Sequence, residues 1–557
     1  MTPFLYRVAK TYYTLYGDSL HKHTFVFPNR RAGLFFQKYL AEIAGKPLFS
    51  PQVITINEFI EQLSHYQPAD RIELLVMLYD HFIALSKSEE SFDDFVYWGE
   101  MLLSDFDDVD KYMVDARQLF TNVTDLKSID DHATYLTETQ IAAIRQFWTN
   151  FMPYEESSTK KEFMETWQVL FPLYRQFKEE LQKRELAYQG MIYRDVAERA
   201  KKKEEFNLPD GEIVFVGLHA LSTSEIMLLQ YLKTNGNADF YWDYESPFLD
   251  DPANKASVWV ERNRTLFPSK NSIELPDFDT KINLEIMGIP SGVGQAKHAT
   301  SILNQLMDDK KIPNPSQAIN TAVVLPDESL LLPVLYSVPE SIGKINVTMG
   351  YNFTHSAISG LIKQLADAQR KVRISDGKRH YYFRYVIAIL NNSLVKIAAR
   401  DEGERLKDHI LTNNMVIVPE DELQSHPLLQ FIFRPIESWQ DISSYLKFVL
   451  TSVYGYLTKE KQEASELDDK EETEEIHDVE SMDLEREFVV QFYKTITRLE
   501  ETLKDATVTM TFDTYFKLLD RLAQSLSVSF TGEPLSGLQI MGVLETRVLD
   551  FENIIIL

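Results

Sequence analysis

HTFVFPNRRAGLFFQKYLAEIAG (23–45), followed by PQVITINEFIEQL (51–63), decides how the rest of the chain is read. In the first stretch an apolar run from Thr24 to Phe27 meets a Pro28-Asn29 turn, after which Leu34, Phe35, Tyr39 and Leu40 fall on one side of a helix. The second stretch repeats that plan. Two strand-to-helix units so close together predict parallel strands in an α/β sheet.

Moving outward, residues 70–205 change period. IELLVMLYDHFIAL, FDDFVYWGEMLLSDFDDVDKYM and WQVLFPLYRQFKEELQKREL carry apolar residues three and four apart, which predicts a helical insertion. GEIVFVGLHALSTSEIMLLQYL (211–232) returns to strand then helix, and ADFYWDYE (238–245) reads as a further strand. INLEIMGIPS and AINTAVVLPDESLLLPVLYSV restart the pattern between 282 and 338, helical segments fill about 355–526, and GLQIMGVLETRVLDFENIIIL (537–557) closes with strand, turn and apolar strand. The same plan occurs twice. The expected fold is α/β with two parallel-sheet domains, each interrupted by helices: 1–65 and 206–280 around the insertion 66–205, then 281–365 and 536–557 around 366–535.

The chain has 557 residues, 44% of them hydrophobic, enough to bury several cores. It holds no run of about 18 apolar residues that would span a membrane, and MTPFLYRVAK lacks the form of a signal peptide. With no cysteine, these residues cannot form disulfides, thiolate zinc sites or iron-sulfur clusters. A cytoplasmic protein is expected. The net charge of −27 excludes a generally basic surface, so any nucleic-acid path is confined to a groove. Residues 459–487 alone contribute 14 acidic and 4 basic side chains, which predicts a solvated, disordered acidic loop.

Catalytic patterns are missing. A phosphate-binding loop needs two glycines spaced to wrap phosphates, then Lys and a hydroxyl. The pairs Gly45-Lys46, Gly343-Lys344 and Gly377-Lys378 are followed by Pro47, Ile345 and Arg379, with Leu40, Val338 and Val372 where the first glycine belongs. For a metal-dependent nuclease, Asp277 stands too close to Asp279-Thr280-Lys281, and Asp327 too far from Asp376-Gly377-Lys378. The histidines form no HExxH and no GxSxG occurs. The carboxylates at 93, 94, 100, 105, 107, 108 and 110 alternate with apolar residues at helical spacing and read as a solvated acidic helix face.

Taken with this double layout, TFVFPNRRAGLFF (24–36), PQVITINEFI (51–60), IVFVGLHALSTSE (213–225), the strings between 282 and 356 and GEPLSGLQIMGVLETRVLDFENIIIL (532–557) resemble the UvrD-like superfamily 1 helicases, most closely the AddB-type subunits of bacterial helicase-nucleases. The resemblance implies two RecA-like domains with 1B-like and 2B-like insertions. It also implies contact with a DNA single strand or duplex end in double-strand-break processing, beside an AddA-like motor subunit. TFVFPNRRAGLFF resembles motif Ia, which makes Asn29, Arg30 and Arg31 candidate DNA contacts. A helix N-terminus with two guanidiniums also suits a phosphate on physical grounds. PQVITINEFI resembles motif Ib, with Thr55 the candidate, and the motif V-like turn adds Arg547. Where the family carries Walker B carboxylates, Gly217, Leu218 and His219 follow the apolar run, so ATP hydrolysis by this chain is not expected. AddB-type chains continue into a nuclease domain of the PD-(D/E)XK class, which would use Mg²⁺. On that basis an exonuclease truncated within the second domain is expected. A non-enzymatic scaffold for a motor subunit, and an active helicase with atypical phosphate contacts, are the competing expectations.

QRKVRISDGKRHYYFRY (369–385) interleaves six Arg or Lys residues and His380 with Tyr381, Tyr382, Phe383 and Tyr385. It reads either as a backbone-tracking, base-stacking surface or as a charged loop entering a helix whose aromatics face a core.

Overall fold

β1 (Thr24–Phe27) is buried along its whole length and pairs in parallel with β2 (Gln52–Thr55), Thr24 lying opposite Gln52 and Phe27 opposite Thr55. A computed structural model gives the structure over residues 2–124, 158–243, 253–255, 257–274, 282–375, 378–467, 476–504, 508–528 and 535–557. α1 (Phe4–Tyr16) precedes β1, and α2 (Arg30–Ala44) and α3 (Ile56–Leu63) follow the two strands. Asn29 starts α2 by accepting a hydrogen bond from the Ala32 N–H, and Gly45 ends it in the left-handed region at φ 59°.

Five helices come next: α4 (Arg71–Ser86), α5 (Phe92–Lys111), α6 (Ala116–Thr124), α7 (Ser158–Lys183) and α8 (Gln189–Lys202). The chain then returns through β3 (Ile213–Val216), α9 (Thr223–Thr234), β4 (Ala238–Tyr241) and α10 (Ser257–Leu266). The four strands form one parallel sheet in the order β2-β1-β3-β4. β1, β3 and β4 are wholly buried, which is why they read as continuous apolar runs and not as alternating ones.

The later part repeats the theme. After α11 (Gly292–Asp308) come β5 (Thr321–Leu325), α12 (Leu331–Leu335), β6 (Ile345–Val347) and α13 (Ala357–Arg370). A small antiparallel sheet follows from β7 (Arg373–Ser375), β8 (Lys378–Tyr382) and β9 (Ile417–Pro419), with α14 (Phe383–Asn391) and α15 (Ser393–Thr412) inserted before β9. α16 (Pro427–Ile432), α17 (Trp439–Leu467), α18 (Ile476–Lys504) and α19 (Phe512–Gln524) lead to β10 (Leu538–Gly542) and β11 (Asn553–Ile556). The second parallel sheet has the order β11-β5-β10-β6. Its core joins Ala296, Ala299 and Leu303 of α11 to Val323, Leu325, Leu538, Ile540 and Ile555. The chain is thus mixed α/β, with two four-stranded parallel sheets and many helices. Among the described residues no helix is long and apolar enough to cross a membrane.

The chain forms two units, residues 1–288 with 543–552, and 289–542 with 553–557. Several expectations change. The first unit ends at 288, and the turn 543–552 groups with it although the strands on either side belong to the second. Residues 282–289 form no regular element, and Ile282, Leu284 and Ile286 are exposed, so INLEIMGIPS does not open the second sheet with a buried strand. Among the described strands β11 lies at the edge of its sheet, and Ile554 and Ile556 are exposed despite the apolar run. The acidic stretch 459–487 is helical up to Leu467 and again from Ile476, with 468–475 outside the described residues. Glu, Lys, Gln and Ala are strong helix formers, and their propensity persists despite the charge. Asp110, expected on a solvated acidic face, has no exposed surface.

Candidate nucleic-acid interface

Because β1 and β2 pair in register to their last residues, Thr55 at the end of β2 and Asn29 two residues past β1 lie at the same edge of the sheet, each capping the helix behind it. Thr55 Oγ1 accepts from the Glu58 N–H at 3.3 Å, and Glu58 Oε2 accepts from the Thr55 N–H at 2.8 Å, which is a complete capping box. Two helix N-termini, with their positive dipole ends, therefore open at one edge. Between α2 and α3 lies a cavity of about 430 Å³, lined by Asn29, Arg30, Gly33, Leu34, Gln37, Val53, Ile54, Glu58 and Gln62. Gly33 lets α2 lie against β2, since a Cβ there would stand 2.5 Å from Val53 Cγ1.

Three polar groups define what the cavity can hold. Asn29 spends its side-chain oxygen on the Ala32 N–H at 2.9 Å, while its Nδ2 is buried with no hydrogen-bond acceptor among the described residues. An unsatisfied buried donor is costly, and an anionic ligand would satisfy it. The Arg30 side chain, 83% exposed, donates from Nη2 to Glu58 Oε1 at 2.6 Å and from Nε to the same oxygen at 3.0 Å. Glu58 is held below the ordinary carboxylate range, first by the Thr55 N–H and then by Arg30. The carboxylate is therefore ionised at neutral pH.

Arg31 points elsewhere. Neighbouring residues on a helix diverge by about 100°, and Arg31 is partly buried, with its guanidinium 5.8 Å from the Phe35 ring centroid. Burial pulls its pKa down and Glu545 opposes that pull, so its electrostatic partner lies in the segment 543–552. That segment is seated on the first sheet: Val548 packs on Gly217 just past β3, Phe551 meets the Phe35 ring at 6.5 Å, and Asp550 Oδ2 accepts from the Phe4 N–H at 2.7 Å. In the order β2-β1-β3-β4 the connection direction reverses between β1 and β3, and open parallel sheets bind ligands in the crevice outside such a reversal. Here the protein's own residues cover it.

Neither a match to any family model nor a match to a curated protein is found. Chemistry is thus judged from the residues alone. Of the five candidates, Asn29 and Arg30 meet in one cavity. Thr55 caps the adjoining helix with its hydroxyl committed, Arg31 faces 543–552, and Arg547 is an exposed residue of that segment. Glu58 is the residue the sequence reading missed, although Thr55-Ile56-Asn57-Glu58 has the spacing of a capping box. The cavity lining contains a single carboxylate and no nucleophile beside a base, so it suits the binding of an anion more than its hydrolysis. Asp327 is held below its usual range by Ser329, whose N–H it accepts, and Lys378 pairs with Asp421 at 2.5 Å. Asp277, Asp279, Lys281 and Asp376 lie outside the described residues.

Proposed function

We propose that this chain is an AddB-like, helicase-derived DNA-binding subunit that works at DNA ends in recombinational repair beside a partner motor subunit, without hydrolysing ATP itself. In this assignment the parallel sheets are two RecA-like domains and the cavity between α2 and α3 takes a backbone phosphate of a single strand. What supports it most is the convergence on one cavity of two helix N-termini, the unsatisfied Asn29 amide and the Arg30 guanidinium. The absence of carboxylates after β3 favours a subunit that holds DNA over one that turns over nucleotide.

The test is a salt series with a fluorescent single-stranded oligonucleotide. Affinity is expected to fall steeply with salt, and Arg30→Ala to flatten the log-log slope by about 0.7, the share of one phosphate contact on a single strand. Asn29→Asp keeps the helix cap but places a negative charge in the cavity, so it should weaken binding while the fold stays intact. No salt-dependent binding by the unaltered chain would sink the proposal and favour the scaffold reading, to which the net charge of −27 lends weight.

Glu58 should act as a competitor for Arg30. Glutamine preserves the capping box yet removes the charge. Glu58→Gln is therefore expected to tighten binding by about two- to fivefold, in line with the worth of an exposed ion pair. Binding that is unchanged or weaker would show that the pair does not restrain Arg30.

A further inference from the structure

The antiparallel sheet β7-β8-β9 sorts the basic and aromatic residues of 369–385 onto two faces. Arg373 lies opposite His380 and Ser375 opposite Lys378, while Tyr382 lies opposite Ile417. Directly opposed residues share a face, so Arg373, Lys378, His380 and Tyr382 stand together. The other face carries Ile374, Arg379, Tyr381 and Val418. Tyr381 and Val418 are buried there, with the Tyr381 hydroxyl donating to the Phe433 carbonyl at 2.8 Å. The Tyr381–Val418 part of that face thus serves the core while Ile374 is exposed, and on the first face Arg373 and Lys378 are exposed and His380 and Tyr382 half-buried.

Along β8, residues two apart are spaced by about 6.8 Å. Lys378, His380 and Tyr382 therefore form a row, continued by Arg384 on the first turn of α14 with its guanidinium 5.9 Å from the Tyr382 ring centroid. Tyr385 flanks Tyr382 with ring centroids 6.0 Å apart. In a chain with 84 acidic against 57 basic residues, a cation that lacks a carboxylate stands out. Arg373 and Arg384 have no carboxylate within ion-pair distance among the described residues; Lys378 has Asp421.

We propose that this face is a binding site for single-stranded nucleic acid, with Arg373 and Arg384 on phosphates and Tyr382 as a stacking platform for a base. Cations flanking aromatics on a sheet face are the combination that grips a backbone while tolerating any base. The proposal extends the DNA-binding reading to the second unit but does not depend on Arg30. Electrostatics alone would fit an acidic peptide equally well; the tyrosines favour bases.

The test uses the full chain and an oligothymidylate of about 16 nucleotides. Arg373→Ala/Arg384→Ala should flatten the salt slope by about 1.4, two contacts' worth, and the corresponding double lysine variant should restore most of it. Tyr382→Ala should weaken binding by about fivefold or more with the slope unchanged, whereas Tyr382→Phe should bind normally. If Arg30→Ala flattens the slope while these variants match the unaltered chain, the second site is wrong and the first stands. If these variants act and Arg30→Ala does not, the second site stands alone. An acidic peptide that displaces the oligothymidylate only from chains with the native arginines, together with normal binding by Tyr382→Ala, would overturn the assignment in favour of a protein partner.

Discussion

Asp110→Ala is expected to destabilise the first unit by about 3–5 kcal/mol, the usual consequence of removing one partner from a buried charge network. Asp110, in the last turn of α5, has no exposed surface and receives hydrogen bonds from the hydroxyls of Tyr174 and Tyr188. Lys178 Nζ of α7 stands 2.9 Å away and Arg194 Nε of α8 stands 2.8 Å away. Burial pulls the Lys178 pKa down and Asp110 opposes that pull, so without the carboxylate Lys178 would lose its ion-pair partner while Arg194 would keep only the looser Glu198, 3.9 Å away. Urea melts provide the measurement. Asp108→Ala, an exposed acid two residues earlier on the same helix, should change stability by no more than about 0.5 kcal/mol. Equal melting of the two variants would contradict the network's role.

Asp110 also marks a limit of reading sequence. Period and composition placed α5 correctly, and the apolar runs of β1, β3, β4, β5 and β10 announced strands because parallel strands are buried on both faces. Which carboxylate turns inward depends on cations supplied by α7 and α8, more than 60 residues away. The same holds for β11, whose edge position follows from strand order and not from its composition.

At the candidate site, Asn29 and Arg30 were legible because a strand-to-helix turn fixes its own cap. Arg31 stands apart from Arg30 because one helical step turns a side chain to another face, which the string Asn29-Arg30-Arg31 does not display. The pairing of Arg30 with Glu58 was hidden because it joins two helices whose proximity comes from the β1-β2 register. Likewise nothing local in 543–552 says that it seats against β3.

That seating gives the second large effect. Gly217 has φ 68°, and a Cβ there would stand 2.4 Å from Val548 Cγ1. Val548 is itself at φ 66°, an unfavourable conformation for a β-branched residue, so the contact holds a strained backbone in place. Gly217→Ala should add on the order of 1 kcal/mol of left-handed strain and about 1–3 kcal/mol of overpacking. The segment can escape the overpacking, though not the strain at residue 217 itself, by lifting off, which would make Arg547 a better trypsin site. Cleavage after Arg547 is expected to accelerate by about fivefold or more, since proteolysis follows the population of the opened form. Val548→Gly removes the methyls that collide and relieves its own backbone, so the double variant should cleave more slowly than Gly217→Ala alone. Unchanged cleavage in Gly217→Ala would mean that the segment is held by Phe551 and Asp550 without Val548. Lifting the segment should not create ATP hydrolysis, because the uncovered crevice has neither a lysine and hydroxyl pair after β1 nor carboxylates after β3.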